Sequence, residues 1–224
     1  MRSRQRSPDR APARIALTLT LVAGLVDAAA FLSLERVFVA NQSGNCVLLA
    51  IGLAALLPIG GPRPALPIEA HGPLVSLAAF CAGAAFAGWL TGARGPRRLA
   101  AFRPLIAAEV LLLAVAAAAP WPGWARAAVT AAAMGVQTVQ AVRLKLAGVT
   151  TTVVTGTLAS LFARLIDSPA RRQGADTLAL VWLLYTVGAA LGAAGARLWS
   201  FSVICWCAVA LAVLRAITDR PPDQ

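Results

Sequence analysis

The sequence predicts an all-α, polytopic helical membrane protein with about six spanning helices, two broken or re-entrant segments and an inverted internal repeat. Three observations carry that expectation. Hydrophobic residues make up 59% of the 224 and charged residues 13%, with a mean hydropathy of +0.74, which is more apolar surface than a soluble core of this length can hide. The apolar residues gather in eight runs, near 14–34, 37–57, 73–92, 104–119, 124–142, 149–166, 178–196 and 199–217, each close to the length a bilayer requires. Two of the runs carry a polar patch with a central glycine: Asn41-Gln42-Ser43-Gly44-Asn45 in the second, and Thr150-Thr151-Thr152 through Thr155-Gly156-Thr157 in the sixth. Unsatisfied polar groups are costly in hydrocarbon, so a kink of this kind at membrane depth belongs inside protein or beside water.

Taken in order, residues 1–13 form a basic tail with Arg2, Arg4, Arg6 and Arg10 among Ser, Pro and Gln. It reads as a disordered cytoplasmic segment whose charge sets orientation and lies against anionic lipid. The first run imitates a signal peptide, and Ala28-Ala29-Ala30 has the look of a cleavage site. The apolar character nevertheless continues through Leu34, and Asp27 is an awkward neighbour for a peptidase, so the first helix is expected to be retained. Residues 14–119 then form a first membrane repeat, 120–217 a second, and 218–224 a short C-terminal tail.

Charge placement separates the eight runs into two kinds. If all eight crossed from a cytoplasmic N-terminus, Arg and Lys would divide 12 inside to 8 outside, with Arg94, Arg97, Arg98 and Arg103 on the wrong face. If the second and sixth runs dip in and return, the division becomes 16 inside to 4 outside, only Arg36, Arg63, Arg126 and Arg197 being external. The positive-inside rule therefore selects the same two segments that the polar patches select, and it places both termini in the cytoplasm. The Pro-rich stretch 58–72 and the turn Trp121-Pro122-Gly123-Trp124 become external.

The halves also correspond in outline. Gly24 precedes Gly44 by 20 residues and Gly135 precedes Gly156 by 21; Phe80 leads Gly83-Ala84-Ala85 as Tyr185 leads Gly188-Ala189-Ala190. With three spans and one re-entrant segment apiece, the halves must insert in opposite directions, the plan of many secondary transporters and channels.

Several function classes are disfavoured. The net charge of +11 sits in short clusters between apolar runs, without aromatic interleaving, so the expected partners are the lipid bilayer and a small solute rather than nucleic acid. Cys46, Cys81, Cys205 and Cys207 all lie in apolar runs and His71 has no second ligand nearby, so neither a metal nor any other cofactor is expected. No HExxH, GxSxG or paired-histidine motif points to an enzyme.

The candidate ligand or ion pathway comprises Asp27, Asn41, Ser43, Gly44, Asn45, Gln137, Thr151, Thr155, Gly156 and Thr157, followed by Glu109 and Gln140. Glycine exposes backbone carbonyls and amides, the asparagines offer donors and acceptors, and the threonines offer hydroxyls. The same groups could instead cap half-helices and join hairpins to their neighbours. Asp27 stands out, since a carboxylate two-thirds along a span must be paired, hydrated or protonated. It is a coupling or ion site, or else a buried acceptor for hairpin amides. Glu109 is expected near the outer part of a bundle interface or paired with Arg103. Gln137 and Gln140 either face the cavity or act as interhelical glue. The spacings Gly88-x-x-x-Gly92 and Gly188-x-x-x-Gly192 suit close helix packing between halves or between subunits, and a homodimer would suit so small a chain.

Gly24-Leu-Val-Asp27-Ala-Ala-Ala-Phe31-Leu-Ser-Leu34, continuing through Phe38-Val-Ala-Asn41-Gln-Ser-Gly44-Asn45, resembles the first signature of the YoaK-like bacterial membrane proteins. Gly135-Val-Gln137, Arg143 and Thr151-Thr152-Val-Val-Thr155-Gly156-Thr157-Leu158 resemble the second. Ser43 stands where that family usually has threonine, Gln42 where methionine is common, and Thr138 where asparagine often follows the glutamine. The resemblance covers roughly residues 14–217 and implies a bacterial inner-membrane location, but it carries no established activity. Together these readings lead to a small transporter or permease-like protein for a small polar or ionic solute, its cavity formed by the two glycine-centred hairpins. A structural or assembly protein is the alternative, with a channel or an intramembrane enzyme behind it.

Overall fold

The computed structural model describes residues 10–57, 69–92, 102–144, 154–166 and 174–218. The expectations for the basic tail up to residue 9, for most of the 58–72 stretch, for Arg94, Arg97 and Arg98, for Thr150 to Thr152 and for the C-terminal tail beyond residue 218 fall outside them. Within them the chain is all-helical, in the order α1 (Arg10–Ser33), α2 (Gln42–Ala54), α3 (His71–Gly92), α4 (Phe102–Ala118), α5 (Gly123–Arg143), α6 (Val154–Ile166), α7 (Ala175–Leu198) and α8 (Phe201–Thr218). Each of the eight apolar runs becomes one helix.

Four of these helices are long and apolar enough to cross a membrane: Pro12–Ser33 within α1, His71–Gly92, Ala175–Leu198 and Phe201–Thr218. At 17 residues α4 is about 26 Å long, close to the hydrocarbon thickness, whereas the 13 residues of α2 and of α6 reach only about 20 Å. With 21 residues α5 has the length of a span, yet it carries Arg126, Thr130, Gln137, Thr138 and Gln140. It tolerates them because Thr130, Gln137 and Gln140 face the protein interior. The outward surface has the opposite character, exposing Leu56, Trp89, Leu111, Ile166, Leu198 and Ile217. So continuous an apolar exterior suits lipid and not water.

Packing centres on α1 and α5. The core joins Val22, Val26, Ala29 and Ala30 of α1 with Leu113 and Ala116 of α4, Ala131 and Met134 of α5, and Ile204, Cys205 and Ala208 of α8. The most extensive helix pairs are α1 with α7 and α3 with α5. Both are close approaches built on glycine. A Cβ added at Gly24 would fall on the Tyr185 carbonyl oxygen of α7, and one at Gly188 on the Leu21 carbonyl of α1. In the second pair, Gly135 meets the Phe80 carbonyl of α3 and Gly83 the Ala132 carbonyl of α5. Without side chains at these points the backbones come close enough for dispersion and weak Cα–H···O contacts to hold helices that gain nothing from a hydrophobic effect in lipid.

The glycine spacings meet different fates. Gly192 lies over the Leu25 backbone and extends the α1–α7 contact, as the small-residue spacing leads one to expect, whereas Gly88 and Gly92 face open space. Among the described residues, Gly88 and Gly92 therefore have no packing neighbour.

The glycines of the second and sixth runs also differ from expectation. Neither interrupts a helix: Gly44 and Gly156 are each the third residue of one, α2 and α6. The break in the second run lies upstream. After α1 the chain turns at Leu34 to Arg36, with Arg36 in the left-handed region at φ 53°, and returns as non-helical residues 37–41. Gly44 matters for a neighbour instead, because a Cβ there would stand 2.7 Å from the Phe38 ring.

Candidate functional site

The sequence-derived candidates separate into two clusters and a remainder. The first cluster holds residues 37–41 against α1. Asp27, buried near the C-terminal end of α1, accepts hydrogen bonds at Oδ1 from the amides of Val39 (2.8 Å) and Ala40 (2.7 Å), and at Oδ2 from Asn41 N (3.0 Å) and the Tyr185 hydroxyl (2.8 Å). One carboxylate thus satisfies three successive backbone donors that have no helical partner, and joins them to α7. This is the buried-acceptor fate considered for Asp27, and it leaves neither oxygen unpaired.

Asn45 completes the cluster from α2. Its Oδ1 accepts from Phe38 N (2.9 Å), while Nδ2 donates to Phe38 O (2.6 Å), to Gln42 Oε1 (2.8 Å) and to Ser76 Oγ on α3 (3.1 Å). Asn41 caps α2, its Oδ1 accepting from Gly44 N (3.4 Å) and from the Ser43 hydroxyl (2.8 Å). The four polar side chains of the first patch, Asn41, Gln42, Ser43 and Asn45, therefore act in building the turn and docking α2 on α3. Tyr185 and Ser76 were missing from the sequence-derived set. Tyr185 was legible only as an aromatic landmark of the second half, and a lone serine in an apolar run gives no signal.

The second cluster lies among α1, α4, α5 and α8. Glu109, expected at the outer part of a bundle interface or beside Arg103, is buried and pairs with Arg215 of α8: Arg215 Nη2 is 3.4 Å from Glu109 Oε2 and donates to Gln140 Oε1 at 2.8 Å. Gln140 Nε2 donates in turn to Glu109 Oε2 at 2.8 Å. Gln137 lies one turn before Gln140 on α5 and donates from Nε2 to the Leu19 carbonyl of α1 at 2.5 Å. Glu109, Gln137 and Gln140 are fully buried and Arg215 is 4% exposed. Among the described residues the network is incomplete, however, since Glu109 Oε1, Gln137 Oε1 and Arg215 Nε have no hydrogen-bond partner there. Arg215 was legible as a cation inside the last apolar run. Counting it as a topology charge obscured its use as the partner of Glu109, the usual role of an intramembrane cation.

The remaining candidates belong to the sixth run. Thr155 and Gly156 are exposed on α6 and Thr157 is buried there, while Thr151 lies outside the described residues. Among the described elements α2 packs on α3 and α6 on α7, with no contact between α2 and α6. Among the described residues the two polar patches are thus not in contact with each other. Each short helix is occupied by its own long neighbour, and the free polar atoms gather instead at the α1–α4–α5–α8 seam.

Comparison with known proteins agrees with this architecture. The family described as "Protein of unknown function (DUF1275)" matches residues 15–217. Among relatives, the UPF0700 transmembrane protein YoaK of Bacillus subtilis (strain 168) is 33% identical over 184 residues, covering 76% of this chain and 78% of the relative. No solved structure matches the chain. Matched across all eight helices of the described residues, apart from the first residues of α1 and the last of α8, the chain belongs to the DUF1275 family and is an integral membrane protein.

Proposed function

We propose that this protein is a small permease-type transporter for a polar solute, lodged in the bacterial inner membrane with both termini cytoplasmic and without enzymatic activity. The observation that carries the reading is the half-satisfied polar cluster of Glu109, Gln137, Gln140 and Arg215. Two buried charges and two amides at a four-helix seam cost far more than an apolar seam would, and leaving three of their polar atoms unpaired adds to that cost. A site that exchanges partners during a transport cycle accounts for such an arrangement; a purely structural network would be expected to close.

An inverted repeat, with α2 and α6 as re-entrant helices, supports the same reading. Advancing each helix by four in chain order maps the α1–α7 contact onto α5–α3, α2–α3 onto α6–α7, and α4–α5 onto α8–α1. The glycine cradles obey the same correspondence, Gly24 and Leu21 matching Gly135 and Ala132, and Gly188 and Tyr185 matching Gly83 and Phe80. The two short helices have equal length, and the seam draws α1 and α4 from one half and α5 and α8 from the other, as a transporter site between inverted halves does.

A structural or assembly role is the second reading, favoured by the complete internal satisfaction of Asp27 and Asn45. Metabolite profiling of a strain lacking the protein separates the two, with solute uptake measured after complementation. Transport predicts a solute whose uptake returns with the wild-type chain and not with Glu109→Leu/Arg215→Met. Unaltered uptake across the metabolite panel, together with a membrane-assembly defect, would leave the structural reading standing.

A further inference from the structure

The unpaired atoms of the α1–α4–α5–α8 seam define what would complete it. Two are acceptors, Glu109 Oε1 and Gln137 Oε1, and one is a donor, Arg215 Nε. They belong to side chains already fixed by their other ends: Glu109 Oε2 by Gln140 and Arg215, Gln137 Nε2 by Leu19 O, and Arg215 Nη2 by Gln140 Oε1. The free atoms are therefore presented by anchored groups and not by mobile ones. Gln137 and Gln140, three residues apart on one helix, share a face of α5, and Gln140 bonds both members of the ion pair.

Charge narrows the choice of ligand. Glu109 and Arg215 offset each other, so an ionic ligand would add an uncompensated charge in a setting from which these side chains are shielded from solvent. A neutral ligand adds none. The missing complement is then two donors and one acceptor on an uncharged group, which a planar primary amide supplies from one end: its NH2 donates twice and its C=O accepts from the guanidinium.

We propose that this seam is a binding site for a small, neutral, amide-type solute of the urea or acetamide class, recognised by Glu109 Oε1, Gln137 Oε1 and Arg215 Nε. The proposal rests on the transport reading above for its role in permeation, but the site itself can be read without flux. Water has the same complement of donors and acceptors and is the competing occupant.

The test uses the full-length protein in phosphatidylcholine vesicles, with solute influx followed by stopped-flow light scattering under gradients of acetamide, urea, glycerol and sodium acetate. Acetamide and urea are expected to enter faster than into protein-free vesicles, and the accelerated component should fall about tenfold or more in Gln137→Leu, a loss typical of removing a specific hydrogen-bonding group. Glu109→Leu/Arg215→Met, which leaves no buried charge unpaired, should remain folded by size exclusion and lose amide influx altogether. Gly88→Ala should behave as wild type.

Acceleration of acetate or glycerol without the amides would overturn the amide site and leave transport standing. Acceleration of water alone would assign the seam to water and overturn the proposal. If no solute moves, thermal denaturation of the purified protein decides: an acetamide-dependent rise in midpoint that disappears in Gln137→Leu keeps the site and removes transport. The absence of any such rise removes the site.

Discussion

Asp27 illustrates how one residue can organise a break in a membrane chain. The amides of Val39, Ala40 and Asn41 have no helical carbonyl to bond, and in lipid such donors must find a partner within the protein. Hydrogen bonds to a charged acceptor are worth roughly 1.5–3 kcal/mol each, so Asp27→Ala should detach residues 37–41 and lower the thermal midpoint of the purified protein substantially. Asp27→Asn should recover only part of the loss, because its NH2 would face donors. A midpoint equal to wild type in either variant would contradict this role.

Glu109 and Arg215 make the complementary prediction. Removing one member of a buried pair leaves an uncompensated charge at a cost of roughly 3–5 kcal/mol, whereas replacing both with apolar residues is often close to neutral. Glu109→Leu should therefore be strongly destabilised, and adding Arg215→Met should restore most of the midpoint. Two equal, additive losses would indicate that the groups do not interact. The presence of Asp27 and Glu109 at membrane depth was legible in the sequence. Their partners were not, because the pairs Asp27–Tyr185 and Glu109–Arg215 are separated by more than 100 residues and only packing brings them together.

Among the elements, the helices were more legible than their breaks. Eight apolar runs became eight helices since burial in lipid demands a helix wherever a run is long enough. The glycine of the first polar patch suggested a kink that the chain makes upstream, at residues 34–41. In the second run the decisive signals are Asp27 and Asn41, a distant acceptor and a cap, and neither announces the residue at which helix gives way to turn. The small-residue spacings were also ambiguous, because a glycine stripe records the possibility of close approach without identifying a partner. The structure distinguishes them: Gly24→Val or Gly135→Val would drive a side chain into a facing backbone carbonyl, while Gly88→Val meets open space. Overpacking of this kind costs typically 1–3 kcal/mol and more where backbone must move, so the first two variants should lose folded protein in detergent size exclusion and Gly88→Val should not. Equal behaviour of all three would refute the close approaches of α1 with α7 and α3 with α5.

At the scale of the molecule, the basic residues and the helix pairings bear on one arrangement by independent routes. Charge asymmetry between loops sets orientation during insertion, whereas the pairings arise from side-chain packing after it. Both are compatible with the proposed inverted arrangement, in which α2 and α6 return to the side they left. The meeting of the two polar patches was a reasonable extension of that plan and is not found among the described residues. The seam shared by α1, α4, α5 and α8 occupies the middle position instead, and its composition could not be read locally since each helix contributes only one or two polar groups.

The arrangement is tested most directly by thiol accessibility in intact cells. In a chain with Cys46, Cys81, Cys205 and Cys207 replaced by serine or alanine, single cysteines introduced as Arg63→Cys and Arg171→Cys are probed with a membrane-impermeant maleimide. Inverted halves with re-entrant α2 and α6 place position 63 outside, where it labels, and position 171 inside, where it labels only after the membrane is opened. Eight full crossings would put both on one face, and identical labelling of the two positions would contradict the account.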